Sequence, residues 1–228
     1  MGADSIRTRV GGVVPTGRMG IPGYHKLQWL QRYSGDVAVV NEYVDEVREK
    51  FPSRGSIPYV APHHGGGRAR LMSLLSSPGV DVEGSGGSRL LSTQNDSPAA
   101  EYVATQLRRV GIDDSDVLPW NAYPWFLGAG TKSVPENDLP YGEHALKGLL
   151  HHTPDLKVVI VQGKGAPAEI WKRVARYDVA RSLNPHVIFT YSPGPGALRG
   201  CRASEAERRD ADRRSAFDRA AKLLSRFD

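Results

Sequence analysis

Short apolar runs alternate with amphipathic stretches over most of the chain. Four runs, each followed by small or turn-forming residues, are predicted strands: 71–75, 117–120, 158–161 and 187–189. Apolar residues at helical spacing follow each run and predict helices over 98–110, 141–152, 166–176 and 203–227. Because strands that alternate with helices form βαβ units, this pattern predicts an α/β fold with a parallel sheet covered on both faces.

The first fifty residues follow a different pattern. Residues 1–23 are interrupted by glycine and proline, which predicts a loose N-terminal arm. Between 24 and 51, apolar residues recur at helical spacing and predict two helices that separate near Ser34 and Gly35. We expect 24–228 to form a single domain, which suits a chain of 228 residues.

Composition excludes several classes of protein. One cysteine, Cys201, cannot build a disulfide framework or a four-cysteine cluster. No apolar run approaches the ~20 residues of a membrane span, and the N-terminus lacks the apolar core of a secretory signal. We therefore expect a cytoplasmic protein that does not enter a membrane. The formal net charge of +5 permits a polyanionic partner without requiring one.

Ligands of parallel α/β sheets bind beyond the carboxyl ends of the strands. The turns expected there are rich in Gly, Pro, Ser and Asn and should surround one crevice: 76–79, 121–125, 163–165 and 192–196. The Gly-Lys-Gly turn at 163–165 lacks the spacing of a nucleotide-binding loop. His63 and His64 have no further ligand at metal-binding spacing, so we expect an exposed loop and neither metal nor cofactor.

Two polar segments of this crevice are candidates for chemistry. Ser97 can cap a helix that starts at Pro98, which leaves Asn95 and Asp96 free and makes Asp96 a candidate for acid–base or electrostatic work. Residues 120–125 (Trp-Asn-Ala-Tyr-Pro-Trp) place an amide among aromatic rings, as a site for a planar base requires. The alternative is core tryptophans beside a turn asparagine, and the residues alone do not decide.

The ordered set of these motifs resembles the uracil-DNA glycosylase superfamily between residues 57 and 198. Residues 57–60 with Pro62 and Gly65-Gly66 look like the lead-in of a bacterial branch, and 74–79 falls on its Leu-Leu-Glu-Ala-Pro-Gly turn. Residues 90–101 follow its Phe-Val-Ser…Asn-Asp…Thr-Ala pattern, and 120–125 matches Trp-Asn-Val-Val-Pro-Trp. Residues 190–198 fall on Thr-Trp-His-Pro-Ser-Pro…Ala-Leu. The resemblance implies a three-layer α/β/α sandwich around four parallel strands, base flipping, and cofactor-free hydrolysis of an N-glycosidic bond.

The chain departs from this family at four positions. Ser76 replaces the carboxylate or amide that positions the attacking water, and Ser192 replaces the histidine that stabilises the departing base. Leu90 replaces the ring that stacks on uracil, and Gly194 replaces a serine. Asn121, which the resemblance implies reads the base edge, is retained.

Three functions follow from these departures. All four changes remove volume, which favours an enlarged pocket for a bulky base such as glucosylated hydroxymethylcytosine, as in the anti-phage glycosylases of this superfamily. Uracil excision in DNA repair is the second hypothesis. A catalytically inactive DNA-binding protein is the third.

The first hypothesis gives each residue a role. Asn121 reads the base, Leu90 leaves room for the added group, Asp96 assists departure of the base, and Ser76 or Ser192 orients water. Further base contacts are expected from Ser77, Pro78, Gly79, Asn95 and Trp120. DNA contacts are expected from Pro193, Gly194, Gly196, Arg199, Lys164, Arg68 and Arg70. The protein is expected to act on DNA as a monomer. The alternating charges of 203–227 predict a solvated, salt-bridged helix face.

Overall fold

The computed structural model of the protein describes residues 17–131 and 133–227. Most of the predicted arm, residues 1–16, lies outside this range. The strands are β1 (Tyr59–Val60), β2 (Leu71–Leu75), β3 (Leu90–Leu91), β4 (Val117–Asn121), β5 (Val158–Gln162) and β6 (His186–Thr190). The α-helices are α1 (Pro22–Leu30), α2 (Ala38–Lys50), α3 (Val80–Glu83), α4 (Pro98–Val110), α5 (Leu139–Leu150), α6 (Ala166–Val174), α7 (Asp178–Leu183) and α8 (Ala203–Leu224).

The central sheet has four parallel strands in the order β4-β2-β5-β6. Side chains alternate between its two faces, because successive residues of a strand point in opposite directions. Leu71, Val117 and Val158 enter a smaller core with residues of α4 and α8. The intervening positions, such as Met72 and Leu118, enter a larger core with residues of α2, α5 and α6. The predicted α/β fold with helices on both faces of a parallel sheet is confirmed.

A small second sheet positions the segment that follows β3. Strands β1 and β3 pair in parallel, with Tyr59 opposite Leu90 and Val60 opposite Leu91. The buried side chain of Asn41 holds β1 by accepting from Val60 N at 2.7 Å and donating to Val60 O at 2.9 Å. Strand β3 thereby delivers residues 92–97 to the amino end of α4.

The N-terminal residues that the structure describes pack against this segment. Met19 is buried, and its backbone N–H donates to the carbonyl of Gln94 at 3.1 Å. Helix α1 starts at Pro22, inside the segment predicted as a loose arm, whereas α1 and α2 separate around Ser34 and Gly35, as the spacing predicts. No helix in the described ranges is long and apolar enough to cross a membrane.

The C-terminal helix α8 has the predicted ladder of ion pairs, among them Arg209 with Glu205 and Arg214 with Asp210. One arginine of the helix, Arg213, lies on its inner face and is only 4% exposed. Arg213 donates to the carbonyls of Ser192 and Pro193, both at 3.3 Å, and pairs with Asp210 at 2.5 Å. This arginine anchors the turn after β6.

Close packing of α2 on α5 gives a test of the larger core. A Cβ at Gly148 would overlap the hydroxyl of Tyr43, which donates to the carbonyl of Ala145 at 2.9 Å. We expect Gly148→Ala to lower the free energy of unfolding by about 1–3 kcal/mol, despite alanine's better helix propensity. The control is Gly23→Ala in α1, where nothing lies near the added methyl and stability should hold or rise by up to ~1 kcal/mol. Urea titrations that give both variants the same change would contradict this account.

Candidate active site

A cavity of about 230 Å³ lies where the carboxyl ends of β2 and β4 meet the amino end of α4. The turn after β2, the segment that follows β3 and the turn after β6 also contribute to its walls. The predicted site residues that line it are Ser76, Ser77, Pro78, Gly79, Asn95, Trp120, Asn121, Ser192 and Gly194. Three of the four turns expected around one crevice therefore meet there, whereas the 163–165 turn does not line this cavity.

Asn121 is the last residue of β4 and lies on the α4 side of the sheet. Its side chain lines the cavity, the residue is 4% exposed, and Nδ2 has no hydrogen-bond partner among the described residues. Leaving a buried donor unpaired costs about 1–3 kcal/mol. An acceptor that enters the cavity would pair with this donor and remove that cost.

Asn95 supplies the complementary group. Its Nδ2 donates to the carbonyl of Leu90 at 2.9 Å, which fixes the orientation of the amide. Its buried Oδ1 has no partner in the described part of the chain. The residues that line the cavity thus include one with an unpaired donor, Asn121, and one with an unpaired acceptor, Asn95. This combination suits the polar edges of a planar heterocycle.

Two of the predicted base contacts are not made as expected. Trp120 borders the cavity, but its indole packs in the larger core, on the face of the sheet opposite Asn121. Leu90 is fully buried and does not line the cavity, whereas its neighbour Leu91 does. The alternation of β3 explains this difference, because it directs successive side chains to opposite sides. Leu90 is therefore not a wall of this cavity, which corrects its predicted contact with the base.

The carboxylate that lines the cavity belongs to Asp81, which was not among the predicted site residues. The predicted candidate, Asp96, is exposed and lines an adjoining cavity of about 580 Å³. Asp81 lines both cavities and belongs to the first turn of α3. Burial raises the pKa of the Asp81 carboxyl above its ordinary value, a hydrogen bond from Ser97 opposes that rise, and the charge of Asp96 adds to it.

A local signal for Asp81 was present in the sequence. It follows the Ser-Ser-Pro-Gly turn by two residues, so any helix starting after that turn places it at the crevice. Gly79 serves this arrangement, because a Cβ there would overlap the Asp81 carboxylate. Ser97 caps α4 as predicted, accepting from Ala100 N at 3.3 Å, and it also lines the cavity.

The predicted DNA-contacting cations lie at two different edges of the sheet. Arg68 and Arg70 precede β2 and pair with Asp155 at 2.6 Å and Asp116 at 3.0 Å. A five-residue strand rises roughly 16 Å, so these two arginines lie at the edge opposite the cavity. This corrects their predicted place beside the site.

The remaining predicted DNA contacts lie on the cavity edge. Lys164 follows β5, and its Nζ donates to the hydroxyl of Tyr191 at 2.9 Å. Pro193 is buried beneath the turn after β6, while Gly196 and Arg199 are exposed beyond it.

His64 is buried and His63 is partly buried, which corrects the expectation of an exposed loop. His64 is 3% exposed, and its Nε2 accepts from Thr93 N at 3.3 Å while Nδ1 faces the carbonyl of Asp114 at 3.3 Å. His63 contacts Ser92 Oγ at 3.3 Å. Burial lowers the pKa of both imidazoles, to about 4 for His64, and the proximity of His64 lowers the pKa of His63 further. The pair holds Ser92 and Thr93, which line the cavity.

Comparisons with protein-family models and with curated protein sequences find no match for this chain. Within residues 17–131 and 133–227, no group of three or more His, Cys, Asp or Glu side chains is placed to hold a metal ion. The function is therefore inferred from the cavity and the residues that line it.

The buried histidines predict a stability that depends on pH. Their folded-state pKa values lie below the unfolded value of about 6.5, so the unfolded chain binds more protons below pH 6.5. The free energy of unfolding should be highest above pH 6.5 and fall towards pH 4, by about 1.4 kcal/mol per pH unit for each proton. Urea titrations at pH 7.5, 6 and 5 measure this slope. His64→Gln, which keeps a neutral acceptor for Thr93 N, should reduce the dependence of stability on pH. An equal slope in that variant would contradict the role given to His64.

Proposed function

We propose that this protein is a monofunctional DNA glycosylase that hydrolyses the N-glycosidic bond of a base flipped into the cavity. The observation that carries the proposal is that Asn121, with an unpaired donor, and Asn95, with an unpaired acceptor, are both buried and line one cavity. An enzyme acting on a base takes it out of the helix at a cost of a few kcal/mol and reads it through hydrogen bonds to its edge. The resemblance of the motifs to the uracil-DNA glycosylase superfamily supports the same class.

The role of Asn121 follows from how the bond breaks. As the base leaves, its ring takes the electron pair of the bond to C1′, and negative charge gathers on its carbonyl oxygen. A preoriented N–H aimed at such an oxygen stabilises the transition state, typically by about 2.7–4 kcal/mol. Ser76 and Ser192 line the same cavity and supply hydroxyls for water. The turn after β6, with Lys164 and Arg199 on its edge, would face the DNA backbone.

A bulky modified base is the substrate that we propose. The adjoining cavity of about 580 Å³ shares Asp81 and Asn95 with the base cavity, so a group attached to the base could enter it. Its walls include Ser85 and Ser88 and two carboxylates, which suits a hydroxyl-rich group such as the glucose of glucosylated hydroxymethylcytosine. Removal of that base from phage DNA would serve antiviral defence. The alternatives are uracil excision and an inactive DNA-binding protein.

The first experiment tests base excision and the role of Asn121 together. Duplexes carrying one uracil or one glucosylated hydroxymethylcytosine are incubated with the protein and cleaved at abasic sites with alkali. We expect wild type to excise the modified base and Asn121→Ala to lose about 10²–10³-fold in rate, with an unchanged or raised melting temperature. Asn137→Ala, at an exposed asparagine, is the matched control. Retention of activity in Asn121→Ala within a few-fold would remove this residue from the mechanism.

The second experiment tests whether the adjoining cavity takes the attached group. Ser85 lines that cavity, is exposed, and does not line the base cavity. Ser85→Trp should lower the excision rate on the glucosylated duplex by tenfold or more and leave any uracil excision unchanged. Ser182→Trp, at an exposed position of α7, is the control. If the ratio of the two rates does not fall, the adjoining cavity does not hold the sugar.

A further inference from the structure

Asp81 is the one ionisable side chain that lines the base cavity in the described ranges. The other polar side chains facing the cavity are serine and threonine hydroxyls and the amides of Asn95 and Asn121. Hydrolysis requires that water lose a proton as its oxygen bonds to C1′. Neutral hydroxyls and amides are poor proton acceptors at neutral pH, whereas a carboxylate is effective.

We propose that Asp81 is the general base of the reaction and replaces the water-positioning residue that the resemblance implies at Ser76. This inference rests on the proposed function and adds to it a catalytic residue outside the family's motif. Ser76 lies in the turn after β2 and Asp81 in the first turn of α3, which follows that turn directly. A carboxylate five residues later thus reaches the same cavity.

The surroundings of Asp81 keep it oriented without neutralising it. Hydrogen bonds from the backbone N–H of Asp81 itself and from Ser97, at the amino end of α4, partly offset the effect of burial on the pKa of the carboxyl. Ser97 Oγ also accepts from Ala100 N at 3.3 Å. The carboxylate folds back over Gly79, where a Cβ would overlap it. No lysine or arginine of the described residues lines either cavity. The charged or titratable groups that face it are therefore Asp96 and His25, across the adjoining cavity.

The step balances without any further reactant. The bond between C1′ and the base nitrogen breaks, and its electron pair leaves with the base, whose carbonyl oxygen accepts from Asn121 Nδ2. The water oxygen bonds to C1′, and one water proton moves to the Asp81 carboxylate. Asp81 then releases that proton to solvent while the departed base takes one from solvent. The products are an abasic site and the neutral base.

The first test uses an isosteric change in the full chain. Asp81→Asn should lower the excision rate on the glucosylated duplex by about 10²–10⁴-fold, while its affinity for the same duplex, measured by fluorescence anisotropy, stays within a few-fold. Asp81→Glu keeps the carboxyl and should recover part of the lost rate. Asp178→Asn, at a fully exposed aspartate of α7, is the matched control.

The second test is a pH profile, which a merely structural role would not move. The excision rate should fall with decreasing pH as Asp81 takes up a proton, with a midpoint above the ordinary aspartate value of about 3.9. Asp96→Asn removes a neighbouring negative charge and should shift that midpoint to lower pH. Ser97→Ala removes the donated hydrogen bond and should shift it to higher pH.

The outcomes separate the two proposals. If wild type excises neither the modified base nor uracil, the proposed function fails, and the role of Asp81 fails with it. If wild type excises a base and Asp81→Asn, folded by circular dichroism, stays within about fivefold, then the role of Asp81 alone is overturned. Midpoints that do not move in Asp96→Asn and Ser97→Ala would also overturn it. A large loss in Asp81→Asn with opposite shifts in the other two variants supports it.

Discussion

The register between β2 and β4 determines how Asn121 lies relative to the turn after β2. Leu75 is the partner of Asn121 in this parallel pair. The pairing continues past both strands, because Ala122 N donates to the carbonyl of Leu75 at 2.8 Å and Tyr123 N to that of Ser76 at 2.9 Å. A slip of one residue would turn Asn121 to the opposite face of the sheet. The turn that carries Asp81 and the amide of Asn121 therefore face one cavity only in this register.

Much of the fold was predictable from the sequence because apolar residues recur with a clear periodicity in the longer helices and strands. The four main strands are apolar on both faces, and α4 matches its predicted bounds from a capping serine to the last periodic residue. Asn121 was predictable as a site residue because it ends one of these buried strands. The parallel direction of the strands then implied that turns distant in sequence would meet.

The details of the site depended on features with little local signal. Strand β3 has two residues, which is too short for the sequence pattern to show which side chain faces the cavity. The prediction named Leu90, whereas Leu91 lines the cavity. The short helix α3 turns the chain so that Asp81, rather than Asp96, reaches the base cavity. Arg68 and Arg70 were predicted to contact DNA because they are basic. Only the direction of β2 shows that they lie at the edge of the sheet opposite the cavity. Burial of His64 likewise depends on tertiary packing.

The contact that anchors the turn after β6 affects the order in which the walls of the cavity form. Ser192 and Pro193 are held by Arg213, which lies well inside α8. Because α8 follows β6 in the chain, a nascent chain already contains β2, β4, Asn121 and Asp81 before Arg213 is synthesised. Its cavity would then be open on the Ser192 side, with the carboxylate and the amide accessible to water. That side of the pocket closes only when α8 docks and Arg213 reaches the carbonyls of Ser192 and Pro193.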